Sequence, residues 1–200
     1  MIQSPIPYPD LSKRAYRADI DGLRGFQILA LIGFHGFPLI VSGGYIGVSI
    51  FFVISGYLIS TIIFKGLDKN SFDFVDFYIR RTRRIFPSLI VILLFCILSG
   101  QIILFSNELA VLGKYIAGGS LFIDNFVAWG DAGYFDTNVE LKPLLHLWSL
   151  GIEEQFYLFW PLILWSSKKI KLNFLFPLIL FVGISFGWSL YEIRMDAVEV

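Results

Sequence analysis

Of 200 residues, 56% are hydrophobic and 16% charged, and the mean hydropathy is +0.71, more apolar side chain than a water-soluble fold of this size can hide. Sixteen basic and sixteen acidic residues cancel to a formal net charge of zero, so nothing in the charge balance points to nucleic acid or an acidic partner, and neither is expected. A lone cysteine, Cys96, excludes an intrachain disulfide, and no metal-ligating spacing is seen.

The chain opens with a polar, basic stretch up to Arg24 that lacks the short apolar core and small-residue cleavage site of a signal peptide, so the first span is expected to direct insertion. That span is predicted from about Gly25 to Ser42. Arg24 and His35 lie eleven residues apart, which on a helix is three turns plus about 20°, so they share a face roughly 16 Å apart along the axis. Pro38 cannot donate to the Phe34 carbonyl and is expected to bend the helix beside His35. The plain alternative is a histidine satisfied by a neighbouring helix and an arginine that snorkels to the interface. A second span is predicted from Tyr45 to Phe64, with Gly43, Gly47, Gly56 and Ser60 spaced for close helix approach.

Next comes a basic segment containing Arg80, Arg81, Arg83 and Arg84. The guanidinium fork suits phosphate oxygens, although membrane anchoring and anionic headgroups account for the same run. A third span is predicted from Ile85 to Phe105. Leu109 to Trp129 is weaker, broken by Lys114, Gly118, Gly119 and Asp124. A further span from Leu144 to Ser166 carries His146, Glu153 and Glu154, and a last one runs from Leu172 to Tyr191. Charges at such depth are costly and point to a role. Glu153 shares a side with His146 and Tyr157, so it is favoured over Glu154, which reads as an interfacial carboxylate.

Basic residues cluster before the first span (Lys13, Arg14, Arg17, Arg24), between the second and third, and at Lys168, Lys169 and Lys171. Placing all three clusters in the cytoplasm puts the N-terminus inside and requires the weak stretch to be a surface or re-entrant helix; the alternative is a sixth crossing, which would put Lys168 to Lys171 outside against the positive-inside bias. The expected fold is therefore all-α, a polytopic transmembrane helical bundle of about five spans.

Three segments carry a resemblance: Tyr16 to Gly25 (YRADIDGLRG), Gly44 to Ile59 (GYIGVSIFFVISGYLI) and Phe77 to Pro87 (FYIRRTRRIFP). With Gly133 to Asp136, Pro143 to Leu150 and Glu153 to Tyr157 following in order, the chain resembles the acyltransferase family 3 membrane proteins. The likeness implies an O-acyltransferase of the bacterial inner membrane that modifies surface polysaccharide, lipopolysaccharide or small molecules. Family members have about ten spans, so the resemblance covers an N-terminal half and the chain looks incomplete. Gly151 stands where a serine often precedes the paired glutamates.

The same resemblance implies that Arg24 and His35 form the first-span motif, and that Arg81 and Arg84, with Arg80, hold the phosphates of an acyl-coenzyme A donor, acetyl-coenzyme A above all. No bound cofactor is expected beyond that donor substrate. His35 would serve as general base or acyl carrier and Glu153 as orienting or acceptor-binding carboxylate. The expected acceptor is a carbohydrate or lipid-linked glycan, with membrane lipids as surroundings. The competing reading is a transporter or flippase in which His35 and Glu153 relay protons or hold cargo, and a third is a non-catalytic scaffold.

Overall fold

The computed structural model describes residues 17–131 and 144–196, with Met195 and Asp196 described by backbone alone. Lys13, Arg14, the Gly133 to Asp136 motif and Pro143 lie outside the described residues. Among the described residues the regular structure is helical: α1 (Ala18–Gly36), α2 (Ile46–Asp68), α3 (Phe74–Ile103), α4 (Ser106–Ser120), α5 (Asp124–Asp131), α6 (Trp148–Lys169) and α7 (Leu175–Asp196). The chain divides into two compact units, Met1–Gly56 and Tyr57–Val200, each described by itself.

In the first unit, α1 ends two residues before Pro38. The residue preceding a proline is pushed out of the α region, and Phe37 sits at φ −141° and ψ 62° while its N–H donates to the Gly33 carbonyl at 2.8 Å. Proline therefore stops this helix rather than bending it, and the first span shifts from the expected Gly25 to Ser42 to an earlier helix. A 3-10 turn at Ser42–Tyr45 then leads into α2. A Cβ on Gly44 would lie 2.2 Å from the Ala30 carbonyl oxygen, and one on Gly47 would lie 2.8 Å from that of Gln27. Backbone meets backbone there, so no larger side chain fits. Gly43 faces open space, which moves the expected close approach from Gly43 to Gly44.

The second unit is organised around α6. Ile59, Ile63 and Leu67 of α2 pack with Phe77 of α3 and with Tyr157, Trp160 and Leu164 of α6. The Trp160 indole N–H donates to the Ser60 hydroxyl at 2.7 Å, and the Tyr78 hydroxyl donates to the Leu158 carbonyl at 2.8 Å. The second bond lands one residue after Tyr157, whose carbonyl is the one that Pro161, lacking an N–H, leaves without a helical donor. Asp73 caps α3 by accepting the Asp76 N–H at 3.1 Å, so this helix begins eleven residues ahead of the expected Ile85 and carries the arginine run on its first three turns.

The weak stretch doubles back along α3. Gly100 is packed by Leu112, whose Cδ2 would lie 2.5 Å from an added Cβ, and the rings of Phe86 and Phe122 meet at 5.6 Å. From residue 100 to residue 86 is fourteen residues, about 21 Å of helix. The turn between α4 and α5 thus reaches far down α3 before the chain turns back, so α4 and α5 form a helical hairpin along α3.

By length and composition, Ser42–Asp68, Phe74–Ile103 and Leu175–Arg194 are long and apolar enough to cross a membrane. At 19 and 22 residues α1 and α6 have spanning length, about 28 and 33 Å, but charged residues interrupt their apolarity. The fold is that of a multi-pass α-helical membrane protein.

Candidate functional site

One face of α6 points inward with residues at intervals of four, three and four: Glu153, Tyr157, Trp160 and Leu164, all buried. The Tyr157 hydroxyl donates to the Glu153 carboxylate, one turn away on the same helix. Above the Tyr157 ring lies the Arg81 guanidinium, its central carbon 4.2 Å from the ring centroid. A cation over an aromatic face is attracted by the ring's quadrupole, more so when water is excluded. Arg81, Tyr157 and Glu153 therefore form one connected series from α3 to α6.

Within the arginine run only Arg81 turns inward. Arg80, Arg83 and Arg84 are exposed, and Arg80 pairs with Asp76 one helical turn back. The expected trio Arg80, Arg81 and Arg84 is thus split: Arg81 enters the bundle and its neighbours stay on its surface.

Arg81 lines a cavity of about 540 Å³ with Glu154, Gln155 and Tyr157 on its polar side and the rings of Phe86, Phe122 and Phe126 opposite. Glu154, given the lesser role from sequence, supplies the cavity's carboxylate, and its Oε1 is buried without a hydrogen-bond partner. A buried acceptor left unpaired costs on the order of 1–3 kcal/mol, which a ligand's donor would recover. Glu153 is directed to Tyr157 instead.

Gln155 closes the site from below. Its Nε2 donates to the Phe122 carbonyl at 2.7 Å and to Asn125 Oδ1 at 2.9 Å. Phe122 occupies the left-handed region at φ 56°, so its carbonyl points away from any helical partner at the tip of the hairpin. Non-helical backbone at this depth persists only when protein satisfies it, and Gln155 does so. Gly151 admits the tip, because an added Cβ would lie 3.1 Å from the Phe122 carbonyl oxygen and 3.2 Å from Asn125 Oδ1. Sequence reasoning missed Gln155 and Asn125, although two amides in otherwise apolar segments were a readable sign.

At the start of α5, Asp124 is fully buried against Gly118 of α4 and both carboxylate oxygens lack a partner. Nearby, Lys114 of α4 pairs with Asp131 at the other end of α5.

In the first unit, Arg24 and His35 lie on the single helix α1, as their spacing requires. His35 Nδ1 is 2.9 Å from the Leu31 carbonyl oxygen. A carbonyl can only accept, so Nδ1 carries a proton and Nε2 is the nitrogen that differs between the ring's two protonation states. His146 sits in a 3-10 turn, Leu145–Leu147, ahead of α6, so the helical spacing from His146 to Glu153 does not hold.

Arg81, Glu153 and Glu154 thus lie within helices of spanning length in a multi-pass membrane protein. The chain belongs to the acyltransferase 3 family, whose acyltransferase domain matches residues 17–194. Similar proteins include one from Staphylococcus aureus (strain MSSA476), provisionally named an O-acetyltransferase, 34% identical over 92% of this chain and 31% of its own length. The peptidoglycan O-acetyltransferase OatA of Listeria monocytogenes is 39% identical over 74% of this chain and 24% of its own length. The chain therefore spans about a third or less of the curated relatives it matches. No solved structure matches it.

Proposed function

We propose that this chain is the first part of a membrane O-acetyltransferase that moves an acetyl group from acetyl-coenzyme A to a hydroxyl of a cell-surface glycan. Peptidoglycan is the acceptor named for the Listeria relative, and it is the acceptor we favour here. The observation that carries the reading is the family match over residues 17–194. On this reading all five helices of spanning length cross the inner membrane, with the N-terminus inside.

His35 takes the proton from the acceptor hydroxyl at Nε2, the nitrogen left basic by the bond at Nδ1. The hydroxyl oxygen then bonds to the acetyl carbonyl carbon, the carbon–sulfur bond breaks, and the coenzyme leaves as thiolate. Proton return from the imidazolium yields free thiol and O-acetyl ester. Arg81 stabilises negative charge on the donor, with Arg84 and Arg80 reaching its phosphates from the helix surface, and Arg24 acts with His35 in the first-span motif. Glu153 orients Tyr157, and through it the ring on which Arg81 rests.

The test uses membranes from cells producing the full protein, supplied with acetyl-coenzyme A and peptidoglycan fragments. Acceptor-dependent release of free thiol is expected, and His35→Ala should lower it by a factor of roughly 10² to 10⁴. A His35→Ala protein of normal abundance that still releases thiol at the original rate removes this reading. Transport of the fragment with no thiol release would favour a flippase instead.

A further inference from the structure

A second concavity shares no residue with the site above. It measures about 410 Å³ and lies where α2 and α6 end together, lined by Leu67, Asn70, Phe72, Trp165, Lys168 and Lys169. Lys168 reaches the Leu67 carbonyl and lies 3.5 Å from the Asp68 carboxylate, and Lys169 Nζ sits 5.1 Å from the centre of the Trp165 ring. Phe74 meets Trp165 edge-on with centroids 6.0 Å apart, which fixes the indole at the rim.

Both helix ends are already closed by their own backbone. Asn70 at φ 50° and Lys171 at φ 57° take the left-handed position, the Ser71 N–H donates to Gly66 at 2.9 Å, and the Leu172 N–H donates to Ser167 at 2.8 Å. The ammonium groups are therefore not needed to cap the last carbonyls, apart from the one Lys168 makes to Leu67. Lys65, Lys69, Lys168, Lys169 and Lys171 set five positive charges on or just after these two helix ends, against Asp68 at the end of α2 and Asp73 at the start of α3. A pocket with ammonium groups, an amide and an indole at its mouth, at the end of membrane-length helices, fits a phosphate ester whose apolar part lies against the aromatic rim.

We propose that this concavity binds a phosphate ester, either the headgroup of an anionic phospholipid or the phosphate of a soluble nucleotide, through Lys168 and Lys169. The probes are vesicles of phosphatidylcholine with and without phosphatidylglycerol, each lipid in turn carrying brominated chains that quench nearby tryptophan. The signal from Trp165 is the difference between the protein and its Trp165→Phe variant.

Brominated phosphatidylglycerol is expected to quench Trp165 about tenfold more effectively, per mole of lipid, than brominated phosphatidylcholine. Lys169→Gln should reduce that preference about fivefold, as loss of one lysine near a charged surface predicts, and Lys168→Gln with Lys169→Gln should abolish it. Lys169→Gln leaves the Lys168 contact to α2 intact, so unchanged helical circular dichroism in that variant separates binding from folding. Adenosine 3′,5′-bisphosphate added to the same vesicles identifies the source: no displacement assigns the site to lipid, and displacement at millimolar concentration assigns it to a soluble phosphate. Equal quenching by both lipids with no bisphosphate binding, or full preference retained in the double variant, overturns the proposal.

Discussion

α6 and α7 are both 22 residues long, yet they are organised in opposite ways. α6 buries Glu153, Tyr157, Trp160 and Leu164 and directs Gln155 to the hairpin tip, whereas only 6% of the apolar window of α7 is buried and its aromatic and aliphatic side chains point outward. A scan for apolarity selects α7 as a span and passes over α6. The helix that looks least like a membrane span carries the polar groups because protein, not lipid, surrounds them. Hydropathy therefore finds the walls of this protein more readily than its site.

The sharpest test of that contrast truncates the centre of α6. Trp160→Ala removes a nearly buried ring and leaves the Ser60 hydroxyl without its donor. A loss of about 3–5 kcal/mol is expected, from the cavity left behind rather than from transfer to water. The midpoint of denaturation in mild detergent measures it. A loss under 1 kcal/mol would mean that α6 is no more tightly held than α7.

These outcomes bear on what a reader of the sequence could know. The helical membrane fold, the shared helix of Arg24 and His35 and the pairing of Glu153 with Tyr157 all follow from periodicity and charge. Local chemistry misled in two places. Pro38 was expected to bend a longer helix, but Phe37 before it could not stay α-helical, so the helix stopped. The arginine run reads as a segment ahead of the span at Ile85, but the Asp73 cap starts α3 earlier, so the run lies on the helix and turns Arg81 alone inward. Gln155 stands out in the sequence as an amide in an apolar segment, but its role does not, because its partners Phe122 and Asn125 lie some thirty residues away and periodicity within one helix says nothing about a hairpin tip arriving from elsewhere.

Gly151 offers a smaller effect at that junction. In Gly151→Ala a Cβ would stand 3.1 Å from the Phe122 carbonyl oxygen, tight enough to push the tip away at a cost of about 1 kcal/mol. Gly151→Ser adds a hydroxyl that can donate to the same oxygen, so it should recover much of that loss. If alanine and serine cost the same, the carbonyl is not the group being crowded.

The smallest effect belongs to α7. Leu180 is 50% exposed, so Leu180→Ala removes contacts that the rest of the described chain does not make, and a change below about 0.5 kcal/mol is expected. The same detergent midpoint reads it beside Leu164→Ala in α6, where the side chain is 2% exposed and a loss of about 2–5 kcal/mol is expected. A ratio near one would place α7 against a packed surface of its own, and its outward apolar side chains would then be an interface rather than a wall.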